Sequence, residues 1–161
     1  MIYKDPTYLG GKGESLILLQ TLGYNVPEFL IISGKYLDEI LSDHKEYLNV
    51  LQWLTDNEID LFSVRSSPEI SMPGLMETKL NQTIVTLQQS LLEVYHSYSS
   101  DLCKLYRKIN NIPDIAPAVI IQKMVDGRGK NSGSGVAYAR TDRDWETPLP
   151  EFYHVHPPFF V

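Results

Sequence analysis

The apolar positions fall into short blocks with different periods. From Glu14 onward, Leu16, Leu19 and Leu22 return at helical spacing, with Gly23 as a stop. After Pro27 the unbroken run Phe29-Leu30-Ile31-Ile32 is short and rich in strand formers, which predicts a buried strand. Over 34–54, Leu37, Ile40, Leu41, Leu48 and Leu51 predict one or two helices. Residues 60–66 predict a second strand, and Pro68 with Pro73-Gly74 forces a loop after it. The longest helical signal follows: Ile84, Leu87, Leu91, Tyr95, Tyr98, Leu102, Leu105 and Ile109 recur every three or four residues. That spacing predicts one apolar stripe along a helix or a helix pair. Asn81 or Thr83 is suited to cap its start, and Asn110-Asn111-Ile112-Pro113 ends it. Residues 118–125 read as a third buried strand, 126–135 as a glycine-rich turn and 136–140 as a fourth strand. Pro148 and Pro150 then precede a short C-terminal segment. Strands separated by helices, with hairpins near the end, predict an α+β fold.

Composition narrows the function more than the fold. A chain of 161 residues with 43% hydrophobic and 21% charged residues is long enough for one core, or for two small lobes sharing one. The net charge of −6 argues against nonspecific nucleic-acid binding, and no basic cluster offsets it: Lys123 to Lys130 holds only three positive charges. Cys103 is the single cysteine, which excludes an internal disulfide and a CxxC zinc site. No apolar run approaches the ~20 residues of a membrane span and the N-terminus has no signal-peptide pattern, so a cytoplasmic, membrane-free protein is expected.

Two features bear on chemistry. Gly10-Gly11-Lys12-Gly13 runs into a helix start. Glycines let the backbone approach an anion, a helix N-terminus offers unpaired N–H groups, and the lysine supplies a charge. The stretch fits neither the P-loop nor GxGxxG, so by spacing alone it is a phosphate site or a plain loop-to-helix turn. Arg65 ends the second strand, in Ser63-Val64-Arg65-Ser66-Ser67, where a guanidinium either forks onto phosphate oxygens or pairs with one of the 20 acidic residues. Elsewhere the bland readings are simpler. Cys103, Tyr95, Tyr98 and Tyr106 pack along the helical stripe, and Asp142, Asp144 and Glu146 form a solvated turn.

Taken in order, four stretches resemble the N-terminal nucleotide-binding domain of pyruvate phosphate dikinase and phosphoenolpyruvate synthase. They are Leu9-Gly-Gly-Lys-Gly-Glu-Ser-Leu16 with Val26-Pro27; Ser63-Val-Arg-Ser66 with Ser71-Met-Pro-Gly74 and 77–81; Val119-Ile-Ile-Gln-Lys-Met-Val125; and Ser132-Gly-Ser-Gly-Val-Ala-Tyr138. The resemblance implies a compact, two-lobed ATP-grasp-like domain over 1–161, with an N-terminal lobe to about 115 and a strand-rich lobe from about 116. It implies that Lys12 and Arg65 hold ATP phosphates and act on the transferring group. It implies that Gln122, Lys123, Met124 and Val125 form the connection that meets adenine, that Ser71 to Gly74 are a loop beside the phosphates, and that Glu151 ligates Mg²⁺.

The chain departs from the family pattern at three places. The segment between Asn81 and Ala118 is shorter, and Val155 and Pro157 stand where the family has an asparagine and a metal-binding glutamine. His154 and His156 are softer ligands than magnesium prefers, and two histidines two apart read as a strand end. None of the four histidines, His44, His96, His154 and His156, lies in the family's threonine-serine-histidine context, and no pyruvate-binding barrel is present. The resemblance therefore implies a kinase-type phosphotransfer domain that passes a phosphoryl group to a separate histidine phosphocarrier and does not complete the family reaction alone. The alternative is a non-catalytic nucleotide-sensing or protein-interaction module that kept the fold.

Overall fold

The structure is a computed structural model that describes residues 2–3, 8–127, 133, 135–138 and 151–154. Compact packing divides the chain into Met1–Met124 and Val125–Val161. In the first unit the elements are β1 (Ile2–Tyr3), α1 (Gly10–Thr21), β2 (Phe29–Ile32), α2 (Gly34–Ser42), α3 (His44–Asp56), β3 (Phe62–Ser67), β4 (Thr78–Gln82), α4 (Leu87–Ser97), α5 (Asp101–Ile109) and β5 (Ala118–Lys123). The second unit has β6 (Gly135–Tyr138) and β7 (Glu151–His154), paired antiparallel with Val136 opposite Tyr153. The mixture of helices and largely antiparallel sheet is α+β, as the element pattern predicts. No helix among the described residues is long and apolar enough to cross a membrane.

The five strands of the first unit lie in the order β1-β2-β5-β3-β4. Only β1 and β2 are parallel; the other neighbours are antiparallel. β5, assigned to the second lobe by the sequence reading, is the middle strand of this sheet, with Ile120 opposite both Ile31 of β2 and Arg65 of β3. Every residue of β2 is buried, and β5 is buried from Ala118 to Gln122. This is why both read as continuous apolar runs and not as alternating ones.

The two faces of the sheet are packed unequally. On one, Leu30, Ile32, Phe62, Val64, Val119 and Ile121 meet Leu37 and Ile40 of α2, Val50, Trp53 and Leu54 of α3, and Leu87, Leu91 and Val94 of α4. On the other, Phe29, Ile31, Ala118 and Ile120 meet Leu9, with Leu16 and Ile17 of α1. Alternation along each strand sorts the side chains between these two cores.

In both places where the periodicity allowed one helix or two, the structure takes the pair, and other local expectations change. The helical segment over 34–54 is two helices, broken at Asp43, whose side chain accepts from the Lys45 N–H. The long stripe is likewise broken, by the turn at Ser99 and Ser100, and Thr86 takes the N-cap position in place of Asn81 or Thr83. The second half of the stripe faces outward: Leu102, Leu105 and Ile109 are exposed, whereas Cys103 and Arg107 are buried. Arg107 reverses the helix because its guanidinium stacks on Tyr98 at 3.8 Å, donates to the Tyr98 carbonyl at 2.7 Å and pairs with Asp114 at 3.1 Å. β4 was not predicted. Its sequence, Thr-Lys-Leu-Asn-Gln, has no apolar alternation, and it is an edge strand with a register shift and Asn81 at φ 55°.

Gly34, the first residue of α2, carries a testable constraint. A Cβ there would collide with the backbone carbonyl oxygens of Pro117 and Ala116, just ahead of β5. Neither acceptor is a flexible side-chain end, so Gly34→Ala is expected to destabilise the fold by about 1–3 kcal/mol, read as a lower midpoint in urea unfolding at unchanged slope.

Candidate functional site

Among the described residues the other face of the sheet is covered by α1, and the candidate site lies beside that helix. The first turn of α1 is stitched to the end of β3. Leu9, in the N-cap position, has no side chain able to accept a hydrogen bond. The Ser67 hydroxyl substitutes for it, accepting from the Gly13 N–H at 3.0 Å and donating to the Leu9 carbonyl at 2.8 Å. The Gly11 N–H donates to the Pro68 carbonyl at 3.0 Å. Gly10, at φ +65°, is required here, because any Cβ would overlap the Ser67 carbonyl.

This narrows one part of the sequence reading. The N–H groups of Gly11 and Gly13 are not open to an anion, because β3 and the residue after it already accept from them. What the glycines achieve is close docking of the helix: a Cβ on Gly13 would lie 3.0 Å from the Ile31 side chain. The charge of the site is therefore carried by side chains.

Lys12 and Arg65 are brought together. Both line an open groove of about 360 Å³, with Ser15 and Leu16 of α1, Ile120 of β5, and Glu69 and Ser71 of the following loop. Lys12 is exposed along much of its length, but its Nζ turns in to donate to the Ser66 carbonyl at 2.9 Å. Burial of that tip, with Arg65 repelling it, holds the Lys12 pKa below the ordinary lysine range. Among the described residues neither cation forms an ion pair, Glu69 included. Two like charges face one groove, and an anion with several charges is the ligand that relieves them.

The other expected residues divide. Ser63 of β3 stands opposite Gln122 of β5, and Arg65 opposite Ile120, so Gln122 shares the groove's face one two-residue step, about 7 Å, beyond Ile120. Gln122 is buried, and its side chain makes no hydrogen bond to a described residue. Lys123 stands opposite Phe62, whose side chain is in the helical core, and its Nζ lies 3.5 Å from the Asn57 carbonyl. The N–H groups of Lys123 and Met124 donate to the carbonyls of Glu28 and Leu61 at 2.8 and 2.9 Å. Val125 is exposed and begins the second unit. Glu151 is the first residue of β7, opposite Tyr138. Among the described residues no three His, Cys, Asp or Glu side chains gather to hold a metal ion. Ser67 was missed as a site residue: a serine after an arginine carries no periodic signal, and its partners lie 54 and 58 residues away.

The family profile described as pyruvate phosphate dikinase, AMP/ATP-binding domain, matches residues 30–149. That span contains Arg65 and 122–125; Lys12 and Glu151 lie outside it. Pyruvate, phosphate dikinase of Rickettsia conorii is 40% identical over 72 residues, covering 44% of this chain and 8% of the relative. The chloroplastic enzyme of Mesembryanthemum crystallinum is 36% identical over 90 residues, covering 45% and 10%. Pyruvate, phosphate dikinase 1 of Arabidopsis thaliana, also chloroplastic, is 29% identical over 160 residues, covering 81% and 16%. The chain thus spans 8% to 16% of the length of these relatives. It belongs to the pyruvate phosphate dikinase AMP/ATP-binding domain family.

The lowered Lys12 pKa gives a pH prediction. A bound anion favours the protonated amine, so anion affinity is expected to fall as pH rises through the Lys12 pKa, sooner than for an ordinary lysine. Arg65→Gln removes the smaller of the two causes, so Lys12 should titrate at higher pH in that variant yet still below a free lysine, as followed by NMR of its side chain.

Proposed function

We propose that this family member is an ATP-binding phosphotransfer domain in which Lys12 and Arg65 clamp the nucleotide's phosphates. The observation that carries the reading is the pair of cations on one groove with no carboxylate paired to either among the described residues. Leu16, Leu19 and Ile120 give the same groove an apolar wall. Gln122, farther along β5, offers an amide to the edge of adenine, a base that both donates and accepts. Backbone carbonyls of 123–125 complete that end. We read the two units as the lobes of one ATP-grasp-like domain.

Mg²⁺ accompanies the nucleotide in this reading. Glu151 would supply the hard carboxylate oxygen that magnesium prefers. Phosphoryl transfer asks little of a protein beyond positioning and charge stabilisation, and Lys12 and Arg65 provide both. The acceptor is a histidine on a separate phosphocarrier. Of this chain's histidines, His44 opens α3 and His96 lies near the end of α4, and neither lines the groove. Val155 and Pro157, at positions where the family binds metal, favour a second reading, a module that binds nucleotide without turning it over.

Calorimetric titration of ATP, with and without Mg²⁺, separates these outcomes. Metal-dependent binding is expected, weakened tenfold or more, about 1.4 kcal/mol, in Lys12→Ala and in Arg65→Ala. Equal affinity in all three proteins would refute the clamp. Binding without AMP formation, even when a histidine phosphocarrier is supplied, would identify the non-catalytic module.

A further inference from the structure

We propose that Ser67 is a positioning residue of this groove: its hydroxyl holds the turn that carries Lys12 in register with the strand that carries Arg65. The proposal rests on the nucleotide-binding reading for its ligand measurement, but not for its structural one.

Ser67 is the last residue of β3, fully buried, and two residues beyond Arg65 on the same strand. Residues two apart share a face, so Ser67 and Arg65 project to the same side about 7 Å apart. Its hydroxyl has one proton, given to the Leu9 carbonyl at 2.8 Å, and a lone pair that receives the Gly13 N–H at 3.0 Å. Those two partners bracket the first turn of α1, and Lys12 lies between them. The direction of both bonds is therefore fixed, and both end on the segment whose placement decides where the Lys12 amine reaches.

Other ties at this junction do not depend on the identity of residue 67. The Gly11 N–H to the Pro68 carbonyl is a backbone bond, and the Lys12 Nζ to the Ser66 carbonyl is a consequence of where the turn sits. Removing the Ser67 oxygen would strip the Gly13 N–H and the Leu9 carbonyl of their side-chain bonds beside Ile31 and Leu9. Loss of two buried hydrogen bonds is costly and loosens the hold of the turn on β3. The turn cannot move inward, because Gly10 already meets the Ser67 carbonyl with no room for a further atom. It therefore moves away from β3, and Lys12 separates from Ser66 and Arg65.

The test uses Ser67→Ala with ATP as the probe, in the full chain and again in a Lys12→Ala background. ATP affinity is expected to fall about tenfold on removal of the two hydrogen bonds, and by less than about twofold where Lys12 is already absent. Equal losses in both backgrounds would show a general structural effect and overturn the proposal, as would an unchanged affinity. NMR titration of Lys12 gives a readout independent of ligand. In Ser67→Ala its pKa is expected to rise toward that of a free lysine, and an unchanged titration overturns the proposal. Should wild type bind no ATP, the nucleotide reading fails while this titration still decides the role of Ser67. If the alanine variant does not fold, Ser67→Cys carries the same tests: its weakly bonding thiol should give intermediate losses that again vanish without Lys12.

Discussion

Hydrogen bonding of β5 on both edges, with burial on both faces, is the constraint on which the first unit depends. A strand held between β2 and β3 has no exposed backbone, so its neighbours fix its register completely. That register places Val119 and Ile121 under the helices and Ala118, Ile120 and Gln122 on the opposite face. Three helices cover the first face. Among the described residues one helix, α1, covers the second; its apolar side chains pack with those of β2 and β5, and its first turn is tied to the end of β3. Arg65 projects from that second face, and among the described residues the groove lies beside α1, where the two faces of the sheet are unequally covered.

The groove is cationic because of how α1 arrives. Many anion sites present the free N–H groups of a helix start. Here Ser67 and Pro68 accept from two of the N–H groups, those of Gly13 and Gly11, and the helix start carries Lys12 to Arg65. A side-chain clamp differs physically from a backbone cradle. Its charges are full and partly exposed, so salt screens them, and burial of the Lys12 tip makes its charge depend on pH. The cost of such a site falls on the two residues that form it, and the rest of the fold is spared.

Elements that owe their form to burial were legible in the sequence; those that owe it to a particular tertiary contact were not. Phe29 to Ile32 is apolar throughout because both faces are covered, and it is the strand it reads as. The prediction for α1 is instructive. Leu16, Leu19 and Leu22 look like its buried stripe, yet Leu19 and Leu22 are exposed and Gly13 is the residue wholly enclosed. A periodicity of large side chains cannot announce a helix that docks through glycine. In α5 the failure is chemical: periodicity favours Leu102 and Ile109, but the stacking and pairing of Arg107 turn that edge inward. Of the candidate site, Lys12, Arg65 and Gln122 were legible through their local motifs and lie on one side of the sheet. Ser67, which joins two of those motifs, was not, because neither motif contains the contact.

Neither cation is there for the fold. β3 is held by backbone pairing to β4 and β5, which any strand-forming residue at 65 would preserve. α1 is docked by Gly10, Gly13 and Ser67, with Lys12 adding one bond from a partly exposed amine. Setting two positive charges against one another on a partly desolvated surface opposes folding, and burial and Arg65 both work against the charge on Lys12. A protein under selection for stability alone would place a neutral or acidic side chain at one of these positions. An arrangement that costs the free protein stability, and that a polyvalent anion converts into a gain, is what a binding site looks like before its ligand arrives. On that reasoning the pair, which has no carboxylate partner among the described residues, favours an anionic ligand on electrostatic grounds, independently of the family likeness, whose matched span includes Arg65 but not Lys12.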